Sequence, residues 1–244
     1  MNWYLLFLKF RLKFFPRFAG IYDFNKILIF SGIEVGEGTI FYDPNSMSID
    51  RERPWMLKIG KYCKITKGTT ILTHDYSRSV LRRVYGEIIG EAGETVIGDN
   101  VFIGMNSIIL MGSHIGNNVI VGAGSVVSGI IPDNCVVAGN PAKIIRNLDE
   151  HYKIRKIKTI VECQEYLKTF LERYNRVPTQ KEMGPFFPLF LKRSKKELIN
   201  QNINLRLNGD NYNEVLEQFL SSKPIYENYE DFIREMKRKI NKNN

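Results

Sequence analysis

The sequence predicts a mainly β fold, in which a parallel β-helix of hexapeptide repeats is followed by a helical C-terminal appendage. Three observations lead to this prediction. An aliphatic residue recurs at every sixth position in the middle of the chain, Gly and Asn fill many positions between, and the apolar spacing becomes helical after residue 148. With 244 residues, of which 43% are hydrophobic and 25% charged, the chain can build a core, which excludes a disordered protein.

The charge distribution divides the chain into three predicted segments. Residues 1–26 carry a net charge of +4, residues 27–150 of −2 and residues 151–244 of +7, which together give the +9 of the whole chain. We predict an apolar and basic N-terminal segment over 1–26, the β-helix over 27–148 and an α-helical region over 149–244. The basic ends are suited to anionic ligands or lipids, and we expect no nucleic-acid partner.

The N-terminal segment begins MNWYLLFLKFRLKFFPRF. Its uncharged apolar run, from Trp3 to Leu8, is far too short to span a bilayer, which takes about 20 residues. No small-residue cleavage site follows a longer apolar stretch, so we expect no signal peptide. Two interpretations remain open, which are peripheral contact with an anionic membrane and packing against the rest of the protein.

The cysteines indicate the compartment. Cys63, Cys135 and Cys163 are an odd, scattered set without a CxxC pair. This pattern favours a reducing environment and no cysteine-based zinc site. We therefore expect a cytoplasmic protein, at the inner face of the membrane if the N-terminal segment contacts lipid.

The six-residue repeat is the strongest signal. An α-helix has no such apolar period and an isolated strand alternates every two residues, whereas three sides of six residues close one triangular coil of a β-helix. Gly98, Gly104 and Asn106 stand where such a coil would turn a corner. The positions in phase are Ile97, Ile103, Ile109, Ile115, Val121 and Val127, with Ile59, Ile65 and Ile71 upstream and a weaker set of Ile29, Val35 and Phe41.

The period breaks twice. Ile71 and Ile97 are separated by four hexads plus two residues, so the segment from about His74 to Glu94 is predicted to loop out. The second break follows Val127, where Pro132 and Pro141 are predicted to stop the ladder of strands.

The stretch VIGDNVFIGMNSIILMGSHIGNNVIVGAGSVVSGIIPDNCVVAGNPAKIIRNL strongly resembles the hexapeptide-repeat acyltransferases, in particular the galactoside, maltose, xenobiotic and surface-polysaccharide O-acetyltransferases. The resemblance covers about residues 29–148. The tract SIDRERPWMLKIGKYCKITKGTTILTHDYSRSVLRRVYGEIIG is similar to the capsule and O-antigen members. The resemblance implies a left-handed β-helix, acetyl-CoA as donor, a carbohydrate acceptor, and a homotrimer with active sites between neighbouring subunits.

O-acetylation requires a base near the acceptor hydroxyl, and a neutral imidazole can take that proton near neutral pH. The chain contains three histidines, His74, His114 and His151. His74, in ILTHDYS, stands where the resemblance places the catalytic histidine, so we predict that it is the general base. We expect His114 at the surface or an interface and His151 at a solvated helix end. Because the coils contain no histidine triad, we predict no metal.

The residue that orients His74 stays open at this point. Asp75 is adjacent, but neighbouring residues of an extended chain point in opposite directions. Asp75 is therefore expected to contact the acceptor or to shape the turn. Glu87, Glu91 and Glu94 are alternatives that the sequence does not rank.

The resemblance also places acetyl-CoA in a groove between two coil stacks. The matching cofactor positions are Met105, Ala123, Ser128, Gly129, Lys143 and Arg146. In the family, the first two lie beside the pantetheine arm, and the next two are often Thr-Lys, so this chain lacks a Lys at Gly129. The last two are basic and would meet the CoA phosphates through charge-assisted hydrogen bonds.

The sequence thus predicts an O-acetyltransferase that moves acetyl from acetyl-CoA to a sugar hydroxyl of a bacterial surface polysaccharide or its precursor. The alternative from another class is a catalytically silent β-helix that serves as an assembly scaffold.

Beyond the coils the apolar spacing is helical, beginning with HYKIRKIKTIVECQEYLKTFLERYNRVPT. FFPLFLKRSKKELI is predicted to form a short helix. NYNEVLEQFL and NYEDFIREMKRKI are predicted to form two more, with Asn213 and Asn228 as N-caps.

Overall fold

The computed structural model of the protein describes residues 3–14, 21–205 and 207–242. Residues 1, 2 and 15–20 of the predicted N-terminal segment lie outside the described residues. The chain divides into two compact units, residues 1–151 and residues 152–244. The finer division into three segments stays a prediction.

The secondary structure changes from strands to helices along the chain. The helices are α1 (Trp3–Phe14), α2 (Ile21–Phe30), α3 (Arg78–Tyr85), α4 (Leu148–Tyr174), α5 (Lys195–Asn200), α6 (Tyr212–Ser221) and α7 (Tyr229–Lys242). The strands are β1 (Glu34–Val35), β2 (Ile40–Phe41), β3 (Ser48–Ile49), β4 (Leu57–Ile59), β5 (Lys64–Ile65), β6 (Thr70–Ile71), β7 (Thr95–Ile97), β8 (Phe102–Ile103), β9 (Ile108–Ile109), β10 (His114–Ile115), β11 (Ile120–Val121), β12 (Val126–Val127), β13 (Ile130–Ile131), β14 (Cys135–Gly139) and β15 (Ala142–Asn147). Short 3₁₀ helices lie at Pro44–Ser46, Pro54–Met56 and Gly184–Leu189.

The strands of the first unit form three sheets. Sheet 1 has the order β1-β4-β7-β10-β13, sheet 2 the order β15-β14-β11-β8-β5-β2, and sheet 3 the order β12-β9-β6-β3. Consecutive strands up to β14 lie in successive sheets, and each pairs in parallel with the equivalent strand of a neighbouring coil. This arrangement confirms the predicted parallel β-helix. The direction of winding stays a prediction.

The predicted hexad positions are the inward positions of the coils. Ile59 pairs with Ile97 in sheet 1 and Ile65 with Ile103 in sheet 2, and all four side chains are at most 3% exposed. Each six-residue step leads to the next side of the coil, and three steps return to the same side. Inward β-branched side chains of successive coils therefore stack on each inner face, and parallel strands favour such residues. The core of the first unit is this column of aliphatic residues.

Small residues allow the coils to stack closely at the corners. A Cβ atom on Gly104 would lie 2.5 Å from the backbone nitrogen of Ala123 in the next coil, so the glycine is required there. Asn100, Asn118 and Asn134 have positive φ angles and form a ladder at another corner. The Asn100 Nδ2 donates to Asn118 Oδ1 at 2.9 Å, and the Asn118 Nδ2 donates to Asn134 Oδ1 at 3.0 Å.

Two predicted boundaries differ in the structure. The β-helix does not begin at residue 27, because Ile29 lies on α2 with its side chain exposed, and the first strand starts at Glu34. The ladder does not stop at Pro132 either. β13 and β14 continue sheets 1 and 2 in parallel, since Pro132 falls at the corner between them, and β15 then returns antiparallel to β14 after Pro141.

The excursion between β6 and β7 is confirmed, and it contains α3. The second unit is helical, as predicted, around a core that includes Leu167, Phe190 and Phe232. Asn228 accepts a hydrogen bond from the Asp231 N–H at 2.8 Å, as a cap of α7 does. The predicted Asn213 cap of α6 is wrong. The cap is Asn211, whose Oδ1 accepts from the backbone N–H groups of Asn213 and Glu214.

Candidate active site

His74 lies where the β-helix opens into the excursion. It follows β6 by three residues, at the edge where the chain passes from sheet 3 to sheet 1. We call this line of corners the histidine edge; it includes Asp50, His74 and the pair Ser128–Gly129, which lie on the first, second and fourth passages from sheet 3 to sheet 1. The His74 side chain is 9% exposed, so the imidazole is sheltered and still reaches the surface.

Asp50 is the residue that contacts the inner nitrogen of His74. The distance from His74 Nδ1 to Asp50 Oδ2 is 2.5 Å, and the Asp50 side chain is 5% exposed. Asp50 directly follows β3, and Ile49 of β3 pairs with Ile71 of β6. The parallel register of two neighbouring coils therefore brings the carboxylate beside the imidazole.

Three further hydrogen bonds hold the Asp50 carboxylate. The Thr73 hydroxyl and the Thr73 N–H donate to Oδ2, the second at 3.2 Å, and the Glu52 N–H donates to Oδ1 at 3.0 Å. Burial by itself would raise the pKa of Asp50. The hydrogen bonds from Thr73, Glu52 and His74 outweigh it together, so the pKa of Asp50 is lowered from its ordinary value.

This arrangement fixes the tautomer of His74. An ionised carboxylate only accepts hydrogen bonds, so Nδ1 carries the hydrogen and Nε2 of the neutral ring presents a lone pair. Glu52 Oε2 lies 3.4 Å from Nε2, a contact that becomes an ion pair once the ring is protonated. The Tyr76 ring packs edge-on against the imidazole, with 5.4 Å between ring centroids.

Asp75 shapes the turn into α3. Its Oδ1 accepts from the Ser77 N–H at 2.8 Å, and its backbone carbonyl accepts from Arg78 Nη1 at 2.7 Å. The hydrogen bonds from Ser77 lower the pKa of the Asp75 carboxyl. These are the contacts of a residue that shapes the turn, and contact with an acceptor stays a prediction.

None of the three loop glutamates occupies the place of Asp50. Glu94 forms an ion pair with Lys58 at 3.4 Å, and the position beside Nδ1 is filled by Asp50. Asp50 is not among the site residues predicted from the sequence, although it directly follows Ile49, which pairs with the inward Ile71 in sheet 3.

The predicted cofactor residues lie in three places. Met105 and Ala123 share a different line of corners, between sheets 2 and 3, where the Gly124 N–H donates to the Met105 carbonyl at 2.8 Å. We call this line the methionine edge. Ser128 and Gly129 lie on the histidine edge, about 10 Å along the axis from His74, because two coils separate them. The Lys143 and Arg146 positions are on β15.

A polar cleft adjoins the Asp50 end of the site. Its volume is about 480 Å³, and it is lined by Lys9, Ser31, Ile49, Asp50, Arg51 and Glu52. Lys9 comes from α1, so the N-terminal helix contributes to the lining of the cleft together with Asp50, the partner of His74. The cleft offers cations, one hydroxyl group and carboxylates within one small volume.

A larger cleft of about 840 Å³ lies within the second unit. Aromatic rings such as Tyr166, Phe170 and Phe186 line it, and its Arg176 and Glu182 pair with each other at 2.6 Å. It therefore shows no base and carboxylate pair of the kind formed by His74 and Asp50.

Comparison with known proteins identifies the family. The profile described as "Bacterial transferase hexapeptide (six repeats)" matches residues 94–129. "Protein CapG" of Staphylococcus aureus is 43% identical over 141 residues, which cover 56% of this chain and 76% of CapG. The "Putative lipopolysaccharide biosynthesis O-acetyl transferase WbbJ" of Escherichia coli (strain K12) is 50% identical over 64 residues, 26% of this chain and 33% of WbbJ.

Among solved structures, the "Hexapeptide-Repeat Containing-Acetyltransferase VCA0836 from Vibrio cholerae" is 32% identical, with a TM-score of 0.40 over 48% of this chain and 62% of that one. The match to most of CapG shows that the chain belongs to the hexapeptide-repeat transferase family. It is an enzyme of the acyltransferase class, since relatives named for an activity are acetyltransferases. This outcome favours the predicted enzyme over the predicted scaffold.

Proposed function

We propose that the protein is an O-acetyltransferase that moves acetyl from acetyl-CoA to a sugar hydroxyl of a bacterial surface polysaccharide or its precursor. The observation that carries the proposal is the buried contact between His74 and Asp50 at an open edge of the coils. The names of WbbJ and of a galactoside O-acetyltransferase that is 45% identical over 65 residues support an O-acetyl product on a carbohydrate.

In this mechanism His74 acts as general base. Its Nε2 lone pair takes the proton of the acceptor hydroxyl while the hydroxyl oxygen bonds to the thioester carbonyl carbon. Asp50 holds the ring in the reactive tautomer and stabilises the imidazolium that forms, and Glu52 at 3.4 Å from Nε2 adds to that stabilisation. When the carbon–sulfur bond breaks, the imidazolium returns the proton to the departing thiolate.

We propose that the 480 Å³ cleft beside Asp50 receives the acceptor. The Glu52 carboxylate and the Ser31 hydroxyl of the cleft can hydrogen-bond to sugar hydroxyl groups. Lys9 and Arg51 favour an acceptor that carries an anionic group, because a fixed cation in a confined polar cleft attracts negative charge. Asp75 at the mouth of the excursion is a further acceptor contact in this proposal.

We propose a homotrimer with left-handed coils, and the placement of the predicted cofactor residues supports a site that is shared between two subunits. Within one chain the whole width of sheet 3 separates the histidine edge from the methionine edge. A groove lined by His74 together with Met105 and Ala123 therefore requires the histidine edge of one subunit to face the methionine edge of the next. In that groove Ser128 and Gly129 would follow the pantetheine arm, and Lys143 and Arg146 would bind the CoA phosphates.

A thiol-release assay with acetyl-CoA and a panel of sugars tests the function. We expect acceptor-dependent release of free CoA, with stoichiometric acetylation of the sugar. The proposal fails if acetyl-CoA at millimolar concentration neither binds the protein nor is consumed with any acceptor in the panel. Light scattering of the same preparation tests the trimer.

A further inference from the structure

An exposed row of aromatic side chains runs along α1. Trp3, Phe7, Phe10 and Phe14 follow each other at intervals of four, three and four residues, which places them on one side of an α-helix. We call this row the aromatic stripe. The four side chains are between 51% and 79% exposed, whereas Leu8 on the other side of the helix is 1% exposed. The helix thus has one apolar face in the protein core and a second apolar face at the surface.

The helix α2 enlarges this apolar surface. Phe30 is 51% exposed, and its ring packs edge-on against Tyr4 with 6.0 Å between centroids. Ile29, next to Phe30, and Leu6 of α1 are exposed as well. A group of exposed apolar side chains of this size usually marks an interaction site, since single exposed apolar residues are common but such groups are not.

The charged residues of α1 indicate which kind of partner the aromatic stripe would bind. The α1 sequence contains Lys9, Arg11 and Lys13 and no acidic residue; Arg11 forms an ion pair with Asp23 of α2 at 3.3 Å, which leaves an excess of positive charge on the two side chains that remain. Cores of protein–protein interfaces are depleted in Lys, whereas aromatic rings flanked by Lys and Arg are typical of helices that lie in the interfacial region of anionic bilayers. Each such cation near the surface strengthens attachment by about fivefold.

The length of α1 determines how it would lie. Twelve residues span about 18 Å, which is less than the roughly 30 Å of a bilayer core. No helix among residues 3–14, 21–205 and 207–242 is long and apolar enough to cross a membrane. A helix of this size with an aromatic face therefore lies in the plane of the membrane.

We propose that the aromatic stripe of α1 docks the protein on an anionic lipid bilayer. The stripe inserts among the acyl chains near the headgroups, and the net positive charge of α1 attracts the lipid phosphates. Because Lys9 of the same helix lines the cleft beside Asp50, docking holds that cleft within about one helix diameter, roughly 10 Å, of the membrane surface. A lipid-linked acceptor could then reach the cleft from the bilayer; this last step rests on the proposed function, and the docking itself does not.

Vesicle sedimentation of the full-length protein tests the docking. We expect binding to vesicles that contain phosphatidylglycerol, much weaker binding to pure phosphatidylcholine, and release at high salt. The double variant Phe7→Ser/Phe10→Ser should bind at least about tenfold more weakly, because two inserted rings are lost. The matched control Ile157→Ser/Val161→Ser removes two exposed apolar residues from α4 and should bind like the unmodified protein.

Tryptophan fluorescence provides a measurement that needs no change in the stripe. The chain has two tryptophans, Trp3 and Trp55, so the Trp55→Phe variant reports on Trp3 alone. Anionic vesicles should shift its emission to shorter wavelength and protect it from acrylamide. An unchanged spectrum, equal binding to both vesicle types, or equal binding by the stripe variant would overturn the proposal.

Two further results separate the possible explanations. If the unmodified protein forms a larger oligomer than Phe7→Ser/Phe10→Ser in light scattering and shows no vesicle binding, the stripe is an interface between copies of the chain, and the proposal is wrong. Acetyl transfer to a soluble sugar should be the same in both proteins. Vesicle binding without any transfer activity would refute the proposed function and leave the docking in place.

Discussion

Replacing Asp50 by Asn tests whether the carboxylate orients His74. The substitution keeps the size of the side chain but exchanges one accepting oxygen for an NH₂ donor. On the Oδ2 side, the Thr73 hydroxyl, the Thr73 N–H and His74 Nδ1 at 2.5 Å all face the carboxylate. Asn can satisfy them only in part, because its NH₂ group would face other donors or would require His74 to accept at Nδ1.

The expected loss of activity follows from that exchange. If Nδ1 becomes the acceptor, the hydrogen moves to Nε2, and the nitrogen that faces the acceptor hydroxyl loses its lone pair. Loss of a general base, or of the correct tautomer, lowers kcat by about 10²- to 10⁴-fold. The KM for acetyl-CoA should change little, since Asp50 is not among the proposed cofactor contacts.

The same variant makes a prediction for stability. Removing an ionised acceptor of several hydrogen bonds should lower the free energy of unfolding by about 1–3 kcal/mol. Because the pKa of folded Asp50 is lowered, this contribution is fully present above the unfolded pKa of about 3.9 and is lost as the pH falls through the folded value. The stability difference between the two proteins should therefore be constant above about pH 5 and narrow below it.

Steady-state thiol release and urea unfolding at several pH values make the measurement. The matched control is Asp99→Asn, because Asp99 accepts from the Lys61 N–H at another corner of the coils, where the amide oxygen can replace the carboxylate. Asp99→Asn should leave kcat within a few fold. A folded Asp50→Asn enzyme with kcat within threefold of the unmodified protein would refute the orienting role.

Three other predictions follow from the packing and the charges. Ile115→Ala should lower the free energy of unfolding by about 2–5 kcal/mol, because Ile115 is 2% exposed inside the coils. His114→Ala, at the neighbouring outward position, should change that free energy by less than about 0.5 kcal/mol and leave turnover within a few fold. Equal losses of stability in urea titrations would contradict the assignment of Ile115 to the interior. Burial raises the pKa values of Cys63, Cys135 and Cys163, the last to about 12. A disulfide reagent should therefore label these thiols slowly in the native protein and rapidly in the unfolded protein. Rapid labelling of the native protein would contradict this prediction. Lys143→Ala should raise the KM for acetyl-CoA and leave kcat nearly unchanged, because it removes a proposed phosphate contact far from the reacting bond; a fall in kcat alone would exclude that role.

The sequence was sufficient for the coil interior because one physical constraint repeats there. Every sixth residue of a coil points into the interior and must be apolar. Ile59, Ile97 and Ile115 could therefore be assigned to the interior from their spacing alone, and all three are buried in the structure. The same rule misplaced Ile29, since a helix can also supply an isolated aliphatic residue at that distance, and α2 covers this position.

Asp50 was not predicted as a site residue because the first coils of the β-helix are irregular in length. Ile49 and Ile71 pair across neighbouring coils, yet they are 22 positions apart rather than 18, since a segment with a 3₁₀ helix at Pro54–Met56 is inserted between them. Counting in hexads therefore does not place Asp50 beside His74. The prediction of the α6 N-cap was wrong for a different reason. Asn211 and Asn213 are both good N-cap residues, and the backbone conformation that selects Asn211 is not visible in the sequence.

The most direct test of the proposed function is the kinetics of His74→Ala together with its affinity for acetyl-CoA. If His74 is the general base, kcat for sugar acetylation should fall by about 10²- to 10⁴-fold, and calorimetry should show acetyl-CoA binding close to that of the unmodified protein, because the proposed cofactor contacts lie elsewhere. A folded His74→Ala protein that keeps nearly full kcat would contradict the assignment, and the acceptor hydroxyl would then have to be activated by another group.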